Sequence, residues 1–395
     1  MVTISAVADY RYLIVGGGMT GDAAARGIRD HDADGSIGLF GAEQHEPYAR
    51  PPLSKGLWTG KEESSVFRGT PDLDVDIHAG RRISSVVLDA HSATDDAGTT
   101  HTFEKILLAT GGTPRQLPDA PADVIYYRTL DDYRRLREIA GDGVRAAVVG
   151  GGFIGSEIAA ALAMNGCAVT IVFPEAGIGS RLFPPELSSS VNDYYRDKGV
   201  TVLAEEKVAS VSNDGIATES GKEIEADVVV AGLGIVPNTE LAENAGLNVD
   251  DGILVDEYGR AGGRDDVFAA GDVARFPVPA LGGTRRVEHE DHANTHGRVV
   301  GANMAGAETE YDHLPFFYSD LFDLGYEAVG DVDSRLATVE HWVEPVKKGV
   351  IVYVDDDERA KGALLWDVWG KVDDARGLIL AGTRVSPESL LVFLD

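Results

Sequence analysis

Two glycine-rich motifs in this sequence have the spacing of a diphosphate-binding turn. Residues 12–21 read YLIVGGGMTG and residues 146–155 read AAVVGGGFIG. In such a motif the first glycine makes the tight turn, the second lets the backbone approach the diphosphate, and the third lets a helix pack close to a strand. The helix then directs its N-terminal N–H groups at the phosphates. The pair of motifs predicts two dinucleotide sites in one chain.

Each motif is followed by an acid that suits the hydroxyls of a ribose. Glu43 and Glu175 come roughly 20 residues after the last glycine of their motifs, which is the usual place for a ribose-binding carboxylate. No arginine adjoins Glu175 in the sequence to bind a 2′-phosphate, and this favours NADH over NADPH.

A third segment, PYARPPLSKGLWTG at residues 47–60, carries two cations in a proline-rich run. Proline fixes φ and removes a backbone donor, so we expect a rigid, irregular loop. Loops held on a scaffold often carry function. Arg50 and Lys55 are therefore candidates for contact with a bound group.

The elements around these residues predict an α/β fold. An apolar strand precedes each glycine motif, an Ala-rich helix follows it, and a second strand returns, which is the βαβ unit. KILLATGG, DVVVAGLGIVPN and DDVFAAGDVA read as further strands that end in turns. After about residue 311, alternating strands and a last helix in SPESLLVFL predict a smaller α+β domain.

Composition excludes several classes of partner. The net charge of -30 repels nucleic acid phosphates and anionic lipid, so we predict neither nucleic acid nor membrane as a partner. Cys167 is the single cysteine, which rules out an intramolecular disulfide. No apolar run reaches the roughly 18 residues of a membrane span. The N-terminus shows no signal peptide, and we expect a soluble, cytoplasmic protein.

The motifs together resemble those of a known family. GGGMTG, PYARPPLSK, LLATGG, VVGGGFIGSEIA, GLGIVPN and VFAAGDVA are similar to segments of the FAD-dependent pyridine nucleotide reductases, in particular the ferredoxin reductase type without a redox disulfide. IVFPEAG, RRVEHEDHANTHGRVVGANMAG and FFYSDLFDLGYEAVGDVDS resemble its apoptosis-inducing factor branch. The resemblance covers nearly the whole chain.

The resemblance implies two nested Rossmann-like domains of the glutathione-reductase kind, followed by a C-terminal α+β domain. The FAD-binding domain would take residues 1–119 and 237–311, the NAD(H)-binding domain residues 120–236, and the C-terminal domain residues 312–395.

The family positions that contact FAD fall on the first glycine motif and on scattered loops. They are Gly16, Gly18, Met19, Thr20, Gly21, Glu43, Arg50, Lys55, Ile83, Thr110, Gly111, Arg128, Asp272, His289 and Glu290. Tyr318 stands against the cofactors, where the branch commonly has Trp. Glu43 would hold the ribose alone, because Ala42 replaces a second acid of the family.

The positions that contact NADH fall on the second motif and its surroundings. They are Gly150, Gly152, Phe153, Ile154, Gly155, Glu175, Gly234, Glu288 and Glu327.

Three of the residues are predicted to take part in catalysis. Phe153 matches the aromatic residue that covers the flavin until nicotinamide displaces it. Lys55 is the candidate cation beside the flavin, where it would stabilise the charge that develops on reduction. Glu157, early in the helix after the second motif, is the candidate partner that keeps Lys55 charged and oriented.

Two functions fit this reading. The first is an NADH oxidoreductase that passes hydride to FAD and electrons on to a ferredoxin-like or other acceptor. The alternative is a redox sensor, like apoptosis-inducing factor, in which a stable FADH–NAD charge-transfer complex controls oligomerisation, including a homodimer. A thiol-disulfide reductase or NADH peroxidase needs a cysteine beside the flavin. We reject this alternative, because Cys167 lies at the far end of the second βαβ unit. A membrane quinone reductase is disfavoured, because the sequence shows no amphipathic C-terminal anchor.

Histidines raise one further alternative, a metal site. His289, His292 and His296 have helical spacing, but the acids around them and the resemblance favour a helix that lies along the flavin. We therefore predict no metal site.

Overall fold

The computed structural model describes residues 9–394. The α-helices are α1 (Met19–His31), α2 (Leu130–Ile139), α3 (Phe153–Met164), α4 (Pro185–Asp197), α5 (Glu240–Asn244), α6 (Glu290–Met304) and α7 (Val372–Ala381).

The strands, in chain order, are β1 (Asp9–Val15), β2 (Ile37–Gly41), β3 (Asp76–Ala79), β4 (Ile83–Val87), β5 (Ser92–Asp95), β6 (Thr100–Leu108), β7 (Gly112–Pro114), β8 (Ile125–Tyr126), β9 (Arg145–Val149), β10 (Ala168–Val172), β11 (Thr201–Leu203), β12 (Val208–Ser212), β13 (Gly215–Thr218), β14 (Glu223–Glu225), β15 (Val228–Ala231), β16 (Ile235–Pro237), β17 (Ile253–Leu254), β18 (Val267–Ala269), β19 (Ala274–Pro277), β20 (Thr284–Arg285), β21 (Phe316–Leu321), β22 (Leu324–Gly330), β23 (Ala337–Glu344), β24 (Lys348–Val354) and β25 (Ala360–Trp366).

These elements form two compact units. The first unit holds residues 9–49, Glu62–Thr113 and Val236–Pro315. The second holds Arg50–Lys61, Pro114–Ile235 and residues 316–394. The three-domain division expected from the sequence stays a prediction, since a two-unit partition does not test where those domains begin and end.

The first unit is built on the predicted βαβ element. β1 pairs in parallel with β2 and β6, in a sheet of order β3-β2-β1-β6-β5-β4 with β18 beside β6. The central strands are almost continuously apolar, because both faces of a parallel sheet are covered. One face of the sheet is covered by α1 and by α6, which pack against each other.

The second unit repeats this arrangement. β9, α3 and β10 form its βαβ element, and the parallel sheet runs in the order β11-β10-β9-β15-β8. Residues Ile158–Leu162 of α3 are fully buried or nearly so. The apolar, Ala-rich sequence after the second glycine motif therefore buries this helix on most of its circumference.

The second unit also contains the expected α+β part. β21 to β25 form an antiparallel sheet of order β21-β22-β25-β24-β23, with α7 packed against β22 and β25. The segment SPESLLVFL, expected to be a helix, forms a 3₁₀ helix over Pro387–Phe393. Ser386 caps it reciprocally with Ser389.

Residues 50–60 of the proline-rich segment belong to the second unit. The expected irregular loop is two short 3₁₀ turns, Pro51–Ser54 and Gly56–Thr59, joined at Lys55. The prolines start the first turn, where a missing N–H removes no bond. Trp58 anchors the segment: its indole donates to the Leu53 carbonyl at 2.8 Å and packs edge-on against Tyr133.

Candidate functional site

The first glycine motif has the shape that a diphosphate needs. A Cβ on Gly16 would lie 2.0 Å from the Ala109 carbonyl oxygen, and one on Gly21 would lie 2.1 Å from the Gly16 carbonyl oxygen. A Cβ on Gly18, in contrast, would meet nothing within 4 Å. Gly18 is the N-cap of α1, and no side chain caps the helix there. The turn is tight at its ends and open in front of the helix, which fits the diphosphate of FAD.

The first helical residues adjoin this turn in the chain, and the predicted ribose acid comes later, after the strand that follows the helix. Met19 and Thr20 open α1 and are nearly buried. Glu43 follows β2 and accepts a hydrogen bond from the Tyr48 hydroxyl. Ile83 begins β4 and is buried.

Thr110 and Gly111 follow β6 and are fixed by one asparagine. The Thr110 hydroxyl donates to the Asn238 carbonyl at 2.7 Å, and the Asn238 side chain donates to the Thr110 carbonyl at 2.9 Å. The Asn238 backbone N–H donates to the Gly111 carbonyl at 2.9 Å. The turn after β6 is therefore held rigidly in the first unit.

The predicted acid and histidine positions of this part of the first unit lie at the start of α6 and in a 3₁₀ turn that follows β18. Asp272 lies in the 3₁₀ turn Gly271–Val273, directly after β18. Glu288 is paired with Arg286 at 2.6 Å, and His289 is the N-cap of α6, followed by Glu290. Burial lowers the pKa of His289 to about 4, although the charge of Asp272 opposes this. His289 is therefore neutral at neutral pH.

The other two histidines of α6 are buried. Burial lowers the pKa of His292 to about 3, and it also lowers the pKa of His296. His292 stacks on Phe276 with ring centroids 4.6 Å apart, and its Nδ1 lies 3.0 Å from the Tyr311 hydroxyl. Within residues 9–394, no group of three or more His, Cys, Asp or Glu side chains is arranged to bind a metal ion. The sequence-based prediction of no metal site stays a prediction.

The second glycine motif repeats the geometry of the first. A Cβ on Gly150 would lie 2.4 Å from the Gly232 carbonyl oxygen, and one on Gly155 would lie 1.8 Å from the Gly150 carbonyl oxygen. A Cβ on Gly152, the N-cap of α3, would meet nothing within 4 Å. This turn fits the diphosphate of NAD(H) for the same reason. Gly234, the other predicted glycine of this site, has a φ of +78°, a conformation that favours glycine.

The ribose acid of the second motif has an arginine beside it. Glu175 follows β10, and its Oε1 lies 2.8 Å from Nη2 of Arg181. The Arg181 side chain is 85% exposed and the Glu175 side chain 30%. The Gly179 N–H donates to the Gly151 carbonyl at 2.9 Å, so this loop is tied to the glycine motif. The search for an arginine that adjoins Glu175 in the sequence therefore did not find Arg181, whose side chain is close to Glu175 in space.

Lys55 and Glu157 form a largely buried ion pair. Lys55 Nζ lies 2.7 Å from Glu157 Oε2, and the side chains are 14% and 4% exposed. The sequence-based prediction that these two residues would be partners is met by this geometry, while their part in catalysis stays a prediction. Lys55 Nζ also lies 5.2 Å from the ring centroid of Tyr318, within range of a cation–π contact.

Strands β21 and β22 carry two of the predicted residues. Tyr318 of β21 lies directly opposite Glu327 of β22. Burial raises the pKa of Glu327, while the Gly370 N–H, which donates to its carboxylate at 3.0 Å, opposes the shift. Phe153, the first residue of α3, packs edge-on against Phe317 with ring centroids 5.2 Å apart. Phe153, Lys55, Tyr318 and Glu327 thus belong to one unit.

The remaining predicted residues of the second unit are Arg50, Arg128 and Ile154. Arg50 Nη1 donates to the Arg128 carbonyl at 2.8 Å, which joins the proline-rich segment to the turn before α2. Ile154 follows Phe153 and is exposed. The roles of all the predicted site residues stay predictions.

Sequence reasoning missed two serines at the centre of this arrangement. Ser54 Oγ lies 2.5 Å from Glu157 Oε2, and Ser319 Oγ lies 2.6 Å from Glu157 Oε1. Ser54 immediately precedes Lys55, so its position in the sequence could have indicated that it lies near the ion pair. Ser319 has no local signal, because it reaches Glu157 from a strand far along the chain.

Within residues 9–394, no helix combines the length and the apolar character that crossing a bilayer requires.

Comparison with known proteins agrees with these two dinucleotide sites. Residues 10–297 match the family described as Pyridine nucleotide-disulphide oxidoreductase, and residues 300–347 match Apoptosis-inducing factor, mitochondrion-associated, C-term. The chain is 34% identical to "Apoptosis-inducing factor 1, mitochondrial" of Dictyostelium discoideum, over 95% of this chain and 79% of that protein. It is also 34% identical to the "Anthranilate 1,2-dioxygenase system ferredoxin--NAD(+) reductase component" of Burkholderia cepacia, over 96% of both chains.

A solved structure matches the whole fold. The "covalent putidaredoxin reductase-putidaredoxin complex" contains a chain that superposes with a TM-score of 0.89 and 28% identity, over 97% of this chain and 96% of that one. The expected fold class and family are thereby confirmed. The chain belongs to the pyridine nucleotide-disulphide oxidoreductase family and is an FAD-dependent NAD(H) oxidoreductase.

Proposed function

We propose that this protein transfers electrons from NADH, through FAD, to a ferredoxin-type iron–sulfur protein. The observation that carries the proposal is the single cysteine, Cys167. It follows the C-terminal end of α3, and a helix of this length puts it roughly 18 Å from the glycine turn at the other end. Burial raises the pKa of this thiol, which keeps it unreactive. Electrons therefore leave without a redox disulfide.

Similarity supports the choice of acceptor. The Burkholderia cepacia relative is named as a ferredoxin–NAD(+) reductase component, and the solved structure pairs a reductase with putidaredoxin. Both matches extend over nearly the whole of each chain, so they include the C-terminal sheet as well as the nucleotide-binding parts.

FAD, when bound, supplies the chemistry that accepts hydride from NADH and releases electrons to the acceptor. We propose that Lys55 places its ammonium near the flavin ring, where positive charge stabilises the reduced form. Glu157 fixes the direction of that ammonium, because the two side chains are nearly closed to water. Glu175 binds the adenosine ribose of NADH, and Phe153 covers the flavin when nicotinamide is absent.

The net charge of the protein determines how the association rate with a charged acceptor depends on salt. At a net charge of -30, an acidic ferredoxin is repelled at low salt. Because the Debye length falls to about 8 Å at physiological ionic strength, added salt weakens that repulsion. We therefore expect the association rate with an acidic ferredoxin to rise with salt.

An anaerobic titration tests the proposal. The holoenzyme is reduced with one equivalent of NADH, and an oxidised [2Fe–2S] ferredoxin is then added. Immediate recovery of flavin absorbance, together with loss of the ferredoxin's visible absorbance, supports an electron-transfer enzyme. No recovery with any of several ferredoxins of different charge would contradict it.

The second candidate is a redox sensor, and the match of residues 300–347 to the apoptosis-inducing factor C-terminal family favours it. A sensor would keep a long-wavelength absorption band after NADH reduction, even in air, and would change from monomer to homodimer on gel filtration. Rapid reoxidation and an unchanged elution volume would exclude this function.

We also propose a cytoplasmic location, because the reducing cytoplasm does not destabilise a chain that has no intramolecular disulfide. Fractionation of the producing cells checks it: recovery of the protein in a membrane or organelle fraction would contradict the proposal.

A further inference from the structure

The Glu157 carboxylate receives three hydrogen-bond donors. Lys55 Nζ and Ser54 Oγ reach Oε2 at 2.7 and 2.5 Å, and Ser319 Oγ reaches Oε1 at 2.6 Å. Ser54 is 6% exposed, and Ser319 has no exposed surface. Water therefore has little access to replace either hydroxyl, and the two oxygens of the carboxylate each have a fixed partner.

The two hydroxyls come from different parts of the second unit. Ser54 ends the first 3₁₀ turn of the proline-rich segment, immediately before Lys55. Ser319 lies in β21, opposite Tyr326 of β22, and the C-terminal sheet holds its backbone on that side. Glu157 lies in the first turns of α3, so the three hydrogen bonds join a loop, a helix and a strand at one carboxylate.

We propose that Ser54 and Ser319 are positioning residues that orient the Glu157 carboxylate and, through it, the Lys55 ammonium. This inference rests on the role proposed above for Lys55. A carboxylate with one donor on Oε1 and two on Oε2 cannot rotate without breaking a bond, and hydrogen bonds to an ionised group are the strong ones. With its plane fixed, Glu157 holds Lys55 in one direction.

The same hydroxyls reduce the negative charge that Glu157 presents to its surroundings. Each O–H points its positive end at the carboxylate and offsets part of its field. Tyr195 and Tyr326 lie near enough to feel that field: burial raises the pKa of both, and the charge of Glu157 adds to the shift. Loss of a serine hydroxyl exposes more negative charge beside Lys55, and a reduced flavin is then stabilised less.

The test uses the FAD-loaded protein with Ser319→Ala and Ser319→Thr, and with Ser54→Ala as an independent second variant. Ser188→Ala is the matched control, since Ser188 is 3% exposed in the same unit and donates to the Ile178 carbonyl at 2.8 Å. Two quantities are measured: the rate of flavin bleaching by NADH, and the midpoint potential of FAD by equilibration with a reference dye.

Ser319→Ala is expected to slow bleaching by about tenfold, the effect of losing one hydrogen bond to a charged group. Its midpoint potential becomes more negative, Ser319→Thr restores both quantities, and Ser188→Ala leaves both unchanged. A serine with only a structural role would lower the melting temperature and leave the potential unaltered, which would overturn the proposal.

A double-mutant cycle separates this inference from the proposed role of Lys55. If Ser319 acts through the ion pair, Ser319→Ala has no further effect on the rate in a Lys55→Ala background. A full tenfold effect in that background would overturn the inference and leave the role of Lys55 intact. A Lys55→Ala variant with the wild-type rate and potential would instead remove the proposed role of Lys55, and the inference with it.

Discussion

Replacing Glu157 with leucine should destabilise the second unit strongly. The Glu157 side chain is 4% exposed and that of Lys55 is 14% exposed. Removing one partner of a buried pair costs about 3–5 kcal/mol, because the remaining charge has lost its compensation. The Ser319 hydroxyl loses its acceptor as well, at a cost of about 1–3 kcal/mol. Ser54 is less affected, since its hydroxyl also lies 3.4 Å from the Pro51 carbonyl.

The double variant Lys55→Met/Glu157→Leu should be more stable than Glu157→Leu alone. Apolar side chains of similar volume replace a buried ion pair at little cost, and sometimes with a gain. We expect the second change to restore about 2 kcal/mol or more of the free energy of unfolding. Glu219→Leu is the control: Lys207 and Glu219 form a pair at 2.6 Å in the same unit, but they are 66% and 56% exposed. Its effect should stay below about 1 kcal/mol.

Urea-induced unfolding followed by tryptophan fluorescence measures these differences. The 4 tryptophans, Trp58, Trp342, Trp366 and Trp369, all lie in the second unit, so the signal reports on the unit that contains the pair. A loss of less than about 1 kcal/mol in Glu157→Leu would refute a buried, mutually compensated pair. So would a double variant no more stable than Glu157→Leu.

Three further predictions concern the nucleotide site and the histidines. Glu175→Arg should shift the ratio of kcat/KM toward NADPH, and an unaltered ratio would remove Glu175 from the ribose site. Gly152→Ala should raise the Kd for NADH about tenfold or more, because its Cβ enters the open space before α3, and should keep the wild-type melting temperature. Gly155→Ala should also lower the melting temperature, because its Cβ would lie 1.8 Å from the Gly150 carbonyl oxygen. The free energy of unfolding should fall as the pH drops from 6.5 toward 4. In the folded protein the pKa values of His289 and His292 are lowered to about 4 and about 3, so these histidines take up protons in the unfolded chain at a pH where they stay neutral in the folded one. His292→Phe should flatten that fall, and an equally steep fall in the variant would contradict the assignment.

The nucleotide-binding framework is predictable from the sequence because its signals are local. Each glycine turn, its strand and its helix lie within one short segment, so spacing alone reveals them. The helix predicted in SPESLLVFL is also present, as a 3₁₀ helix that begins at Pro387 after the Ser386 cap, but its 3₁₀ type was not predicted. Helix α7 had no distinct signal, because its sequence mixes apolar and acidic residues without a clear period.

The polar centre of the second unit is less predictable, since it depends on contacts between distant segments. The place of Glu157 early in the helix after the second glycine motif suggested it as the partner of Lys55, although the two are far apart in the chain. Ser319 reaches the same carboxylate from farther still, and nothing about its neighbours in the sequence marks it. Arg181 is near Glu175 in the chain, but only the fold of the loop after β10 shows that their side chains meet.

The rate of flavin reduction in Lys55→Ala tests the central claim most directly. The variant and the wild type are loaded with FAD and mixed anaerobically with NADH in a stopped-flow instrument, with the FAD content of each measured first. Loss of one preorganised donor at a site of developing charge typically costs a factor of about 10²–10³. We therefore predict bleaching at least about 100-fold slower in Lys55→Ala at equal FAD content. Bleaching at the wild-type rate would contradict the account.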